Sequence, residues 1–283
     1  MRTSRPVAPA LLAASLLVLS AATAFAQSPE LPAAPQWLTD ADVLRVGVKC
    51  DYPPDGYLDM SGVPQGVEVS LARQIAEYAL GDQDKAELSC VTAANRIPAL
   101  TGGRADLVIA TIGVTAERAE VIDFSDPYAW GGSDLLVASD SGIDSLEAMR
   151  GKTIAAAKGA WQVPWFEQHQ PETEILQFDS VSDGLQALLQ GRVQGFAHDK
   201  DVLIGLDVAN DNLQLVGEPY IIGNRAAGIA KGHEDFVAYV NAAIAKAKAD
   251  GLVGEWIEAN VKPELQTYVK DSWDMSKEPK VAD

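Results

Sequence analysis

The sequence predicts an α/β protein whose strands form mostly parallel sheets, and three observations carry that expectation. From Val43 to Ala110, apolar strand-like runs alternate with helical stretches, the strand–helix–strand order of a parallel sheet covered on both faces. Within it, Leu107-Val108-Ile109-Ala110 is apolar throughout, as a strand buried on both faces must be. The 283 residues suffice for two modest domains, and apolar and charged fractions of 47% and 22% suit a globular chain.

Residues 1–26 read as a secretory signal: Arg2 and Arg5, an apolar run from Leu11 to Leu19, then Ala24-Phe25-Ala26, with cleavage expected after Ala26. That run is too short to span a bilayer and no later stretch is long enough, so an exported, soluble chain is expected. Gln27 follows the cleavage point, where a lipoprotein anchor would need Cys. Residues 27–36, rich in Pro and Ala, read as a flexible leader.

Val43–Val48 is the first expected strand, stopped by the turn Tyr52-Pro53-Pro54-Asp55-Gly56. Ser70 is a candidate N-cap for a helix whose Leu71, Ile75, Ala79 and Leu80 share a face. Ala86–Val91 is the second strand. Asn95 opens a short helix with Ile97 and Leu100 inward, ended by Gly102-Gly103. After Leu107–Ala110 come Thr111, Gly113 and Thr115, and then Arg118. A strand end, a helix start and an Arg can hold a carboxylate through backbone N–H groups, the helix dipole and a bidentate guanidinium. An ordinary strand-to-helix turn with a surface Arg explains the same residues.

Removing residues 1–26 deletes two arginines and no acid, leaving 20 basic against 40 acidic residues and a net charge near −20. That field opposes nucleic acid and anionic membranes as partners. It does not exclude an acidic ligand, because salt screens distant charges while a pocket acts locally. Cys50 and Cys90 each close a predicted strand, and those strands should be parallel neighbours, so a disulfide across their ends is expected; two buried thiols are the alternative. His169, His198 and His233 are scattered, so no metal and no cofactor is expected.

The stretch DLVIATIGVTAERAEVIDFSDPY resembles the family-3 extracellular solute-binding proteins, the amino-acid receptors of bacterial ABC importers. An Asp-led apolar strand, small hydroxyl residues, T-x-E-R and D-F-S-x-P-Y occur there together. VGVKCDYPP, QGVEVSLARQIA, ANRIPALTGGRADLVIA, LEAMRGKTIA and GFAHDKDVLIG extend the likeness from about Leu44 to about Val261. The resemblance implies the two-lobed type II periplasmic-binding-protein fold, parallel-sheet lobes joined by a two-segment hinge. Residues 37–130 and 228–262 would form the first lobe, 131–227 the second and 263–283 a tail without a clear period. On that frame Asp134–Ser139 leaves the first lobe and Tyr220–Ile229 returns. Between them lie expected strands at Thr153–Ala157, Ile175–Phe178, Gln194–Ala197 and Leu213–Val216, alternating with helices.

It also implies a ligand site. Arg118 would clamp an α-carboxylate with the Thr111 hydroxyl and the Gly113 N–H, although the family usually has Ser or Thr at position 113. Asp199 would receive the α-ammonium; capping the helix Lys200–Ala209 is its other explanation. Lys49 and Arg96 resemble the pair that holds the side-chain carboxylate in aspartate/glutamate-binding members, unless they pair with Asp51, Asp55 or Glu68. Tyr52 matches an aromatic lid or is a core or rim aromatic. Trp161, where Thr is common, would wall the pocket or pack against Trp165, and Trp130 lies near the first crossing and could line the rim.

The function expected is a periplasmic receptor for a polar, acidic amino acid, monomeric, delivering it to a membrane permease. The alternative is an enzyme on the same scaffold, a cyclohexadienyl or prephenate-type dehydratase with Glu167 as a candidate acid, but no constellation of nucleophile, base and orienting group supports it. A sensory ectodomain is disfavoured by the lack of a second membrane segment.

Overall fold

A computed structural model describes residues 29–280. The signal peptide expected at 1–26 and its cleavage after Ala26 lie outside the described residues. The chain enters through α1 (Gln36–Ala41) and β1 (Leu44–Val48), then a small antiparallel sheet of β2 (Asp51–Tyr52), β3 (Gly56–Leu58) and β4 (Pro64–Gln65). There follow α2 (Val67–Leu80), β5 (Ala86–Cys90), α3 (Arg96–Thr101), β6 (Leu107–Ile109), α4 (Ala116–Val121) and β7 (Ile122–Phe124). β1 lies between β5 and β6 and runs parallel to both, as the apolar runs require.

β8 (Ala129–Ala138) opens a second sheet, continued by β9 (Thr153–Ala157), α5 (Gln162–His169), β10 (Glu174–Phe178), α6 (Val181–Leu189), β11 (Gly195–Asp199), α7 (Lys200–Ala209) and β12 (Leu213–Leu215). β13 (Ile221–Arg225) pairs with β8, and β14 (Gly228–Ala230) inserts into the first sheet between β6 and β7. Both sheets are mixed rather than parallel. β9 is parallel to β10 and β11, whereas β8, β13 and β14 run antiparallel to their neighbours. The antiparallel strands are those next to the two crossings, where the chain must reverse. Each lobe has its own apolar core, one around α2, α8 (Glu234–Ala249) and α9 (Leu252–Asn260), the other around α6 and α7.

α2 begins three residues before the expected cap. Gly66 is its N-cap, and the Ser70 hydroxyl bonds back to the Gly66 carbonyl at 2.9 Å instead of capping. Gly66 has φ +131°, and a Cβ there would lie 2.2 Å from the Asp55 carbonyl oxygen, so only glycine fits.

The C-terminal region also differs from the aperiodic tail expected. α10 (Pro263–Ser272) has Pro in its first turn and buries Leu265 and Val269, with Trp273 just beyond, in the first lobe's core. These apolar residues lie at i, i+4 and i+8 among charged neighbours, too sparse to read as a period. Trp130, expected at the cleft rim, is instead buried against this helix. Its Nε1 donates to the Asp271 carbonyl at 2.9 Å, and its ring packs edge-on against Tyr268.

Cys50 and Cys90 form a disulfide, Cα atoms 5.5 Å apart, next to the in-register pair Val48 and Cys90. It closes a span of 40 residues. Replacing both cysteines with Ser is therefore expected to lower stability by up to about 4 kcal/mol on the chain-entropy account. Urea unfolding of the oxidised protein and the double variant measures this.

Candidate functional site

β6 ends in a backbone that turns sharply. Thr111 has φ +49°, a left-handed conformation costly for a residue with a branched Cβ. Its N–H donates to both oxygens of the buried Glu68, at 3.1 and 2.9 Å, and its carbonyl accepts from Arg96 Nη1 at 3.0 Å. Thr115 then caps α4, its hydroxyl accepting from the Arg118 N–H at 3.2 Å, which places Arg118 in the first turn. The Arg118 guanidinium donates to the Gly113 carbonyl at 2.7 Å and, across to the second lobe, to the Gly159 carbonyl at 3.2 Å.

All eight residues singled out in the sequence, Lys49, Tyr52, Arg96, Thr111, Gly113, Arg118, Trp161 and Asp199, line one cavity of about 30 Å³. That is room for little more than a water, so in this shut form the walls lie close together and an amino acid enters only once the lobes part. Gln162 and His198 line it too, and nothing in their spacing marked them.

Charge divides the cavity. Arg96 is buried and donates to the carbonyls of Ala110 at 2.6 Å and Thr111 at 3.0 Å, while its Nε has no partner. Burial, and then repulsion from Arg118, pull its pKa down to about 10. Burial lowers Arg118 as well. Among the described residues neither guanidinium lies at ion-pair distance from a carboxylate. Lys49 does pair with Asp51, at 3.0 Å.

Asp199 stands at the N-cap position of α7, yet its carboxylate makes no cap bond. It points into a buried network instead. Arg225, at the end of β13, contacts Asp199 at 2.9 Å, Asp55 at 2.9 Å and Asp201 at 3.0 Å, and its Nη2 donates to the Tyr52 hydroxyl at 3.2 Å. The Tyr52 hydroxyl in turn donates to Asp199. Burial pushes the Asp199 carboxyl up, but Arg225 and the other donors outweigh it and hold it below its ordinary range. Burial and repulsion from Glu68 push Asp55 well above its ordinary value, and burial raises Glu68. Asp55 is thus a buried ion-pair partner. Arg225 and Asp201 were missed because hinge and helix-start charges look like solvated ones in a sequence.

The two departures in the site fit one another. The Trp161 indole lies over Gly113 and Gly223, where a Cβ would approach the ring to 2.7 and 2.6 Å respectively. Gly159 likewise approaches Ala93 and Ala94, so both lobes meet around the cavity. Glu167, the candidate acid of the dehydratase reading, is exposed on α5 and outside the cavity.

Two α/β lobes, a two-strand crossing and a polar cavity where their strand ends meet define a two-lobed type II periplasmic binding protein. Residues 44–260 match the bacterial extracellular solute-binding proteins, family 3, and the chain belongs to that family. It is 34% identical over 227 residues to the glutamine-binding protein of an ABC transporter in Bacillus subtilis (strain 168), covering 78% of this chain and 83% of the relative. It is 30% identical over 227 residues to the L-cystine-binding protein of Escherichia coli (strain K12), covering 77% and 84%. Among solved structures, the L-cysteine receptor of Neisseria gonorrhoeae superposes with a TM-score of 0.77 at 32% identity, covering 81% of this chain and 97% of that one. The protein is an amino-acid-binding component of ABC transport and not an enzyme.

Proposed function

We propose that the cleft captures a free acidic amino acid, aspartate or glutamate, and delivers it from the periplasm to a membrane permease. The observation that carries this is the pair of guanidiniums, Arg96 and Arg118, which face one cavity, repel each other and have no carboxylate partner among the described residues. Burying such cations is costly without anions, and a ligand with two carboxylates supplies them. Arg118, with the Gly113 N–H and the Thr111 hydroxyl, takes the α-carboxylate; Lys49 and Arg96 take the side chain; the α-ammonium faces Asp199 and Tyr52. Trp161 and Gln162 close the wall from the second lobe. Contacts to both lobes make ligand binding and closure one event.

The relatives are named for binding glutamine, cystine, cysteine, glutamate and arginine, so the side-chain subsite has to be read from this chain's own residues. The Lys49–Asp51 pair favours a second reading, a neutral polar amino acid, because it partly satisfies Lys49 already. Thermal-shift titration separates the two. An acidic amino acid at a hundred times its Kd should add about 2.7 kcal/mol of stability. Lys49→Met and Arg96→Met should weaken glutamate and aspartate by roughly 30-fold or more while sparing neutral ligands. Stabilisation by glutamine alone, unaffected by Lys49→Met, decides for the neutral reading.

A further inference from the structure

The cavity walls differ in what they leave available to a ligand. Asp199 Oδ2 accepts from the Tyr52 hydroxyl and from Arg225 Nη2 at 2.9 Å. Its Oδ1 accepts from Trp161 Nε1 at 2.9 Å and from Gln162 Nε2 at 2.6 Å. A carboxylate offers about four lone-pair sites, so protein donors fill this one, and the Arg225 ion pair offsets its charge. The opposite wall is the reverse. Arg96 and Arg118 donate only to backbone carbonyls, and the Gly113 N–H has no protein acceptor among the described residues. His198 Nδ1 accepts the Asp199 N–H at 2.8 Å, and burial lowers the ring's pKa, so the neutral ring carries its proton on Nε2. The cavity is thus rich in donors and cations and has no free carboxylate lone pair.

Resting on the acidic-ligand reading, we propose that this cleft recognises its ligand through two carboxylates and also takes short dicarboxylates and 2-oxo dicarboxylates that lack an amino group. An ammonium arriving at Asp199 has to displace the indole N–H or share a filled oxygen, which exchanges one hydrogen bond for another. It also arrives beside the Arg225 guanidinium, a like charge. Neither effect is present for a ligand with a methylene or carbonyl at that carbon. An ammonium meeting a vacant buried carboxylate would instead favour the amine-bearing ligand by roughly 30-fold or more.

Calorimetry on the mature protein with L-glutamate, glutarate, 2-oxoglutarate and L-glutamine tests this. Glutarate and 2-oxoglutarate are expected to bind within about tenfold of L-glutamate. A preference for L-glutamate over both that exceeds about tenfold overturns the proposal and leaves the acidic amino-acid reading standing. Binding of L-glutamine with no acid bound overturns both. Trp161→Phe keeps a ring over Gly113 and removes the N–H, opening a lone pair on Oδ1. That variant is expected to shift the glutamate-to-glutarate affinity ratio toward glutamate by about tenfold, and an unchanged ratio counts against the role given to the filled oxygens.

Discussion

Arg118→Ala is expected to weaken every ligand of this cleft by roughly 30-fold to several thousand-fold, the range for truncating one partner of a buried, hydrogen-bonded charge pair. The loss should be general, because the α-carboxylate is common to all amino acids, and it should extend to dicarboxylates that place a carboxylate there. Folding should survive. The Arg118 side chain is half-buried and its protein hydrogen bonds go only to the carbonyls of Gly113 and Gly159. Calorimetry for affinity and a melting curve for the unliganded protein separate the two effects. Retained affinity at an unchanged melting temperature would remove Arg118 from the site.

Arg225→Met is expected to cost about 3–5 kcal/mol of folding stability near neutral pH, since it leaves the buried Asp55, Asp199 and Asp201 without their shared ion-pair partner. The sign of its pH dependence follows from the carboxyls. In the native protein Asp199 is held below its ordinary value, so its contribution is present above the unfolded-chain pKa and is lost as pH falls through the folded one. Asp55 and Glu68 are raised, so the folded state binds more protons than the unfolded chain between the two values, and stability falls there as pH rises. Without Arg225, burial is left to dominate at Asp199, which joins the raised group. The gap between wild type and variant should therefore widen from about pH 5 to about pH 7.5, and urea unfolding at both measures it. A gap that does not change with pH would mean that these carboxylates do not depend on Arg225 for their charge.

The first lobe's strands and the turn that carries Arg118 were legible because each is written locally, whereas the second lobe and the other cavity residues came from the family resemblance. The apolar run at Leu107–Ala110 gives a buried strand, and Thr115 three residues before Arg118 gives a capped helix start that fixes where the guanidinium stands. What was not legible depends on pairs distant in the chain. Asp55 and Arg225 are 170 residues apart and meet only because the second crossing returns beside the first lobe's opening turn. Glu68, read in the sequence only as a possible partner for Lys49 or Arg96, instead supports the left-handed Thr111 backbone and accepts from the Tyr128 hydroxyl. The match between Trp161 and the two glycines beneath it was likewise invisible, since position 113 and position 161 each looked like a separate departure from the family.

The contacts through which Tyr52 and Asp55 meet Asp199 and Arg225 join the two lobes using only the protein's own side chains. These contacts stabilise the shut form alongside those a ligand adds, and a molecule held shut has to gape before it loads, which scales down the apparent affinity by the open fraction. Unloading breaks the same contacts from the other side, so any partner that grips the parted halves more tightly than the shut ones hastens the passenger's departure.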